Sequence, residues 1–159
     1  MVLLLKSSVL TIGEGLKFDE DKTILVSGWL SDNDVVALYD MSDIYLLFSR
    51  GGGFELNGLE ALARGNIVLA PEYGSWVDYI PEEDRLPVAR WVKVLPGNEY
   101  HIGLGPEIDV NKAVDKLLCI IDNLDEWKIK HLKYAREIRE KYSWDKVGEK
   151  LIKIISMYV

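Results

Sequence analysis

The chain has 159 residues, 48% of them hydrophobic and 28% charged, with a net charge of −7. That profile suits one globular domain with a sizeable core. It argues against a nucleic-acid partner, because phosphate contacts need clustered Lys and Arg, and here the basic residues gather near the C-terminus among Glu and Asp. A single cysteine, Cys119, excludes an intrachain disulfide and a zinc cluster of several thiolates.

No apolar run approaches the length of a membrane span, and Met1–Lys6 is too short for a signal peptide, so a cytoplasmic chain without a membrane span is expected. Val2–Leu5 reads as a strand covered on both faces, and Ser7 to Asp21 as irregular. Thr23–Val26 is a second strand. Gly28-Trp29-Leu30 leads into Ser31-Asp32-Asn33-Asp34, a capping-box pattern that opens a helix over Val35–Tyr39.

Ile44–Phe48 is a third apolar strand. It runs into Ser49-Arg50-Gly51-Gly52-Gly53-Phe54-Glu55, then a helix over Leu56–Arg64, closed by Gly65-Asn66 before the strand Ile67–Ala70. Three glycines let a ligand approach the backbone closely. The following helix points its free N–H groups at the same place, which makes an anion site, most often for phosphate. Leu56, Leu59 and Ala63 mark an apolar stripe on this helix, with Glu60 at a stripe position. A carboxylate there is paired, faces a cavity, or reaches water from the first turn, complementing the dipole.

Pro71–Ser75 reads as a loop opening a short helix over Trp76–Ile80, and Pro81-Glu82-Glu83-Asp84 as a solvated charged turn. Trp91–Leu95 is a fifth strand with a turn at Pro96-Gly97-Asn98. His101–Pro106 is a second glycine-bearing loop. Three helices follow, over Val110–Ile121, Glu126–Lys141 and Trp144–Met157, with Asp109 and Ser143 as caps of the first and last. Cys119 lies in an apolar run and reads as a packed core thiol. His131, among Lys128, Lys130 and Lys133, reads as solvated. Trp76, Trp91, Trp127 and Trp144 read as packing residues.

Apolar strands alternating with helices predict an α/β fold, a Rossmann-like parallel sheet with helices on both faces, in one domain over residues 1–159. Ligands of such sheets lie beyond the C-terminal ends of the strands. The glycine loop is at one such end, so the fold and the anion site coincide.

These residues carry a resemblance. Gly28-Trp29-Leu30-Ser31, Leu38-Tyr39, Ser42-Asp43-Ile44, the segment from Ser49 to Gly65, and Ile67–Ala70 with Gly74-Ser75 resemble the C-terminal domain of family 4 (group 1) glycosyltransferases. Tyr142–Val147 is similar to the opening of that family's last helix. The resemblance implies a GT-B enzyme, with this domain binding a nucleoside diphosphate sugar as substrate and no other cofactor or metal. By position it places Gly52, Gly53, Phe54, Glu55 and Leu56 against the diphosphate or sugar, Glu60 on the ribose hydroxyls, Trp29 and Leu30 against the base, and Gly74 and Ser75 at the cleft border.

The chain departs from the family in two respects. Gly52 stands where the family has the first glutamate of its E-x7-E motif, with Glu55 close by. The basic pair that neutralises the leaving diphosphate has no counterpart, leaving Lys6 and Arg50 as the nearest cations. The acceptor-binding N-terminal domain has no counterpart either, so that domain or a partner chain is the expected complement. No catalytic residue is assigned, and whether the chain is itself an enzyme stays open. The implied function is the donor-binding half of a retaining glycosyltransferase; the alternative is a non-catalytic nucleotide-sugar-binding or scaffold module. A response-regulator receiver fits poorly, since Phe48-Ser49 and Lys6-Ser7 stand where it needs acids.

Overall fold

The computed structural model describes residues 1–7, 19–95, 100 and 102–158. The chain falls into two compact units, Met1–Leu38 and Tyr39–Val159. The turn at Pro96-Gly97-Asn98, His101, and most of the irregular Ser7–Asp21 segment lie outside the described residues.

In the first unit, β1 (Leu3–Ser7) pairs in parallel with β2 (Thr23–Ser27) from Leu3 opposite Thr23 to Ser7 opposite Ser27. Helix α1 (Asp32–Met41) starts here and contains the division between the units. Its capping box forms as the spacing implies. The Asp34 amide donates to Ser31 Oγ at 3.3 Å, and the Ser31 amide donates back to Asp34 Oδ2 at 3.2 Å. The Ser31 hydroxyl also donates to Asp34 Oδ2 at 2.6 Å, and that bond, then the one from the Ser31 amide, holds the Asp34 carboxyl below its ordinary range, while the box satisfies amides the helix leaves orphaned.

The second unit is built on a parallel sheet in the order β3 (Ile44–Leu46), β4 (Ile67–Pro71), β5 (Arg85–Leu86). Every residue of β4 is buried, as its unbroken apolar run requires. Helix α2 (Leu56–Arg64) connects β3 to β4. It ends at Gly65, whose φ of 98° allows its amide to reach the Ala61 and Leu62 carbonyls.

Helices α3 (Val110–Asp122), α4 (Leu124–Lys141) and α5 (Trp144–Ile155) finish the chain. Asp109 and Ser143 cap α3 and α5 by accepting from the Lys112 and Lys146 amides at 3.1 and 3.3 Å. Ile67, Leu69 and Leu86 of the sheet pack with Ala113 and Ile120 of α3, bordered by Leu124 and Trp127. Helix α2 packs on β4 and α4, and Arg139 of α4 donates to the Ala63 carbonyl of α2 at 2.7 Å. The class is therefore α/β, with parallel sheets flanked by helices. Among the described residues, no helix is long and apolar enough to cross a membrane.

Several expectations change. The strand placed at Trp91–Leu95 is β6 (Val88–Lys93), and it pairs antiparallel with β7 (Leu104–Ile108), where a loop was expected. Gly105 and Pro106 hid this strand, because both weaken a strand pattern. Cys119 is exposed rather than packed: the buried positions of α3 are Ala113 and Ile120, and Cys119 is about 100° around the helix from Ile120. Of the tryptophans, Trp76 is fully buried, whereas Trp91 and Trp144 are 51% and 88% exposed.

Asp84 and His131 are buried, at 0% and 1% exposure, where the charged residues around each predict solvation. His131 Nε2 lies 2.7 Å from Asp84 Oδ2, and its Nδ1 lies 2.9 Å from the Trp127 carbonyl. The sequence held a signal for this. Leu124, Trp127, His131, Ala135 and Ile138 recur at steps of three and four, the inner stripe of α4. The lysines around His131 belong to the other face.

Candidate functional site: the glycine loop and the mouth of helix α2

β3 delivers the chain to Ser49–Glu55 at its C-terminal end, and α2 begins at Leu56. Gly51, Gly52 and Gly53 are exposed, so this stretch presents backbone. No side chain caps α2 at Glu55, so its first amides are open to an anion.

The turn into the helix is unusual. Glu55 has φ 60° and ψ 66°, the one left-handed non-glycine residue among those described. A glutamate in this region costs on the order of 1 kcal/mol and persists only when its surroundings hold it. Three contacts do so. The Tyr79 hydroxyl, on a ring that is 3% exposed, lies 2.7 Å from the Glu55 carbonyl and 3.1 Å from that of Phe54. The Phe54 and Tyr79 rings lie 5.4 Å apart. Ser49 Oγ lies 3.0 Å from Glu55 Oε1 and accepts from the Gly51 amide at 3.3 Å. From the loop after β4, Ser75 donates to the Gly52 carbonyl at 3.0 Å, which ties Ser75 and its neighbour Gly74 to the glycine loop.

The Glu55 carboxylate folds back over Gly52. A Cβ on Gly52 would stand 1.9 Å from Glu55 Oε1. Residue 52 is bare, and the acid of residue 55 fills the space its side chain would take.

Glu60 does not lie on the buried stripe of α2. Gly58, Ala61 and Leu62 are the buried positions, and Leu56 is exposed. The stripe is turned because Gly58 admits Leu47 and Tyr79, whose atoms would lie 2.8 and 3.0 Å from a Cβ there. Glu60 is exposed and accepts from the Tyr39 hydroxyl at 3.3 Å. Beside it, Asn57 donates to the Tyr45 hydroxyl at 3.0 Å. Burial, then the charge of Glu60, raises the Tyr39 pKa. Burial also raises Tyr45, against the Asn57 hydrogen bond and with help from Glu55 and Glu60, and it raises Tyr79, with help from Glu55. All three stay protonated across ordinary pH. Neutral hydroxyls of Tyr39, Tyr45 and Tyr79 therefore stand beside the carboxylates of Glu55 and Glu60 around the start of α2.

Arg50 does not reach toward the helix mouth. Its guanidinium pairs with Glu107 of β7 at 2.9 Å, and Arg90 takes the other oxygen of Glu107 at 2.6 Å. The Arg90 hydrogen bond, with Arg50 beside it, holds the Glu107 carboxyl below its ordinary range. β7 also passes very close to the loop: a Cβ on Gly105 would stand 1.8 Å from the Arg50 carbonyl oxygen. Gly105→Ala must therefore shift backbone and is expected to destabilise the unit by about 1–3 kcal/mol in denaturant unfolding.

Trp29 and Leu30 belong to the first unit. Trp29 is 93% exposed, an open aromatic face, and Leu30 is half-buried.

No protein-family profile matches the chain. It is similar to two curated viral proteins. One, "Uncharacterized protein 356" of Sulfolobus islandicus rod-shaped virus 1, is 35% identical over 144 residues, which are 89% of this chain and 40% of that protein. The other, "Putative glycosyltransferase 45" of a Sulfolobus islandicus filamentous virus (isolate Iceland/Hveragerdi), is 33% identical over 132 residues, 80% of this chain and 38% of that protein. The chain spans about two fifths of the length of these relatives.

Proposed function

We propose that the chain is the donor-binding part of a glycosyltransferase, of family 4 and GT-B architecture, that moves a sugar from a nucleoside diphosphate sugar to an acceptor hydroxyl with retention. The observation that carries this reading is the strand–glycine loop–helix unit, whose helix mouth has no side-chain cap and has two carboxylates beside it. The similarity to a viral protein named as a glycosyltransferase supports it.

In this reading the amides of Phe54, Glu55 and Leu56 and the α2 dipole take the diphosphate. That is the preorganised electrostatic stabilisation a departing diphosphate needs. Glu60, exposed on the first turns of α2, accepts from the ribose hydroxyls. Gly53, with open space where a side chain would stand, lets the ligand reach the backbone beside Gly52, and Gly74 and Ser75 border the site. Resemblance alone assigns Trp29 and Leu30 to the base. The donor is substrate, and no further cofactor enters the scheme. An acceptor-binding domain or partner chain completes the enzyme.

The test is a calorimetric titration of the protein with UDP-glucose, GDP-mannose and ADP-glucose. Saturable, weak binding of one of them is expected, with the matching nucleoside diphosphate as competitor. Absence of heat with all three, on folded protein, overturns the reading.

A further inference from the structure

The second unit also carries an apolar groove between β3 and α3, and strand register sets its floor. Leu46 of β3 lies opposite Leu69 of β4, so the two side chains share a face of the sheet. Phe48 and Pro71, two positions further along each segment, extend that face. It is the face on which Leu69 meets Ala113 of α3. Val110 and Val114, four positions apart on one side of α3, form one wall, and Pro106 of β7 closes the other. Leu46, Phe48, Val110 and Val114 all stay exposed. Scattered exposed apolar residues are ordinary, but a concave set of them marks a binding surface. The groove holds about 340 Å³. A cavity of about 150 Å³ takes the carbons of benzene, so this one takes about a dozen carbons.

One end of the groove is charged. Arg50 and Glu107 line it. Glu107 serves two guanidiniums, accepting from Arg50 at 2.9 Å and from Arg90 at 2.6 Å. The Arg90 hydrogen bond, with Arg50 beside it, keeps that carboxylate ionised at neutral pH, so two cations share a single anion and positive charge is left over. Among the described residues the Arg50 guanidinium donates through Nη2 alone. The rest of its fork suits a carboxylate or a phosphate. The apolar part offers carbon. An extended peptide laid there would strand its amides, whereas an alkyl chain needs no hydrogen-bond partner.

We propose that this groove binds a free single-chain anionic amphiphile, its alkyl chain of about twelve carbons lying between β3 and α3 and its carboxylate or phosphate head on Arg50. The residues that form it have no part in donor binding as proposed for the mouth of α2, so the two sites stand or fall separately.

Calorimetry with dodecanoate, dodecyl phosphate, octanoate and dodecyltrimethylammonium, each below its micelle concentration, tests this on wild type, Arg50→Gln and Val114→Trp. Val114 is half exposed at the rim, so a tryptophan there fills the groove from outside the core, and both variants are expected to unfold in denaturant like wild type. Saturable one-to-one binding of dodecanoate or dodecyl phosphate is expected. Octanoate should bind at least about tenfold more weakly, because each buried methylene is worth roughly fourfold in affinity. Arg50→Gln is expected to lose about tenfold, and Val114→Trp to lose saturable binding. The inference is overturned if neither anionic probe binds, if the cationic probe binds as tightly, or if either variant keeps wild-type affinity. Should a variant fold poorly, equal affinity for octanoate and dodecanoate in wild type overturns it alone. Capture by phosphatidylglycerol vesicles without binding of the free amphiphiles assigns the face to a bilayer, and self-association that Val114→Trp abolishes, with no amphiphile bound, assigns it to a second copy; both results also overturn the inference.

Discussion

Replacing Glu60 with Ala is expected to abolish nucleotide-sugar binding while leaving the second unit folded. The two effects separate because of where Glu60 sits. It is exposed on α2, outside the buried set of Gly58, Ala61 and Leu62, and its carboxylate accepts a hydrogen bond from the Tyr39 hydroxyl. Losing that acceptor leaves a phenol hydroxyl short of a partner, which costs about 1 kcal/mol. Losing a charged acceptor for two sugar hydroxyls costs about 3 kcal/mol or more, on the order of a hundredfold in affinity. For a weak site that ends detectable binding. Calorimetry reads the affinity and denaturant unfolding the stability. Glu60→Gln keeps an acceptor for Tyr39 and is expected to unfold like the wild type while still binding poorly. If Glu60→Ala unfolds the unit and affinity stays, the carboxylate is structural and the ribose assignment falls.

The fold was legible wherever the chemistry is local. Ser31, Asp109 and Ser143 announce helix starts through side chains that reach amides three residues on, and the structure forms all three caps. Gly65 announces a helix end through a φ that other residues resist. The strand–loop–helix order around Ser49–Arg64 follows from apolar runs and glycines, and it appears as read. Long-range packing was harder. Gly58 has no hydrophobicity to contribute to a pattern, yet it turns α2 by admitting Leu47 and Tyr79. That turn moves Glu60 off the inner stripe, so the stripe argument for a carboxylate on the inner side gives way to position and exposure. The same limit hid the conformation of Glu55. Its sequence spacing says nothing of a side chain doubling back over Gly52, because that depends on a backbone angle held from Tyr79, 24 residues away.

The largest stability effect is expected at the buried pair of Asp84 and His131. Asp84 and His131 are 47 positions apart and come together only when α4 packs over the turn before β5. Nδ1 faces a backbone carbonyl and Nε2 a carboxylate, so both ring nitrogens have acceptors and the imidazolium suits the site. Burial opposes that charge, but the hydrogen bond and charge of Asp84, the Trp127 carbonyl and Glu83 outweigh it and hold the His131 pKa above its ordinary value. The surrounding charges are arranged around the pair. Lys130 neutralises Glu83 at 2.5 Å, and Lys116 stands 4.7 Å from the centre of the Trp127 ring that stacks on His131. Asp84 Oδ1 is buried without a partner among the described residues, so the carboxylate depends heavily on the imidazolium. Removing one partner strands the other's charge. Asp84→Ala and His131→Ala are each expected to lose about 3–5 kcal/mol in denaturant unfolding, and the double replacement far less than their sum. The pH dependence has a definite sign. With the folded-state pKa raised, the pair's contribution is complete below the unfolded histidine value near 6.5 and declines as pH rises through the folded value. Wild type should therefore lose stability across that alkaline-going window, and His131→Ala should not. A wild-type unfolding free energy that stays flat there would show that the histidine is neutral in the folded chain, and that a single neutral hydrogen bond joins α4 to Asp84.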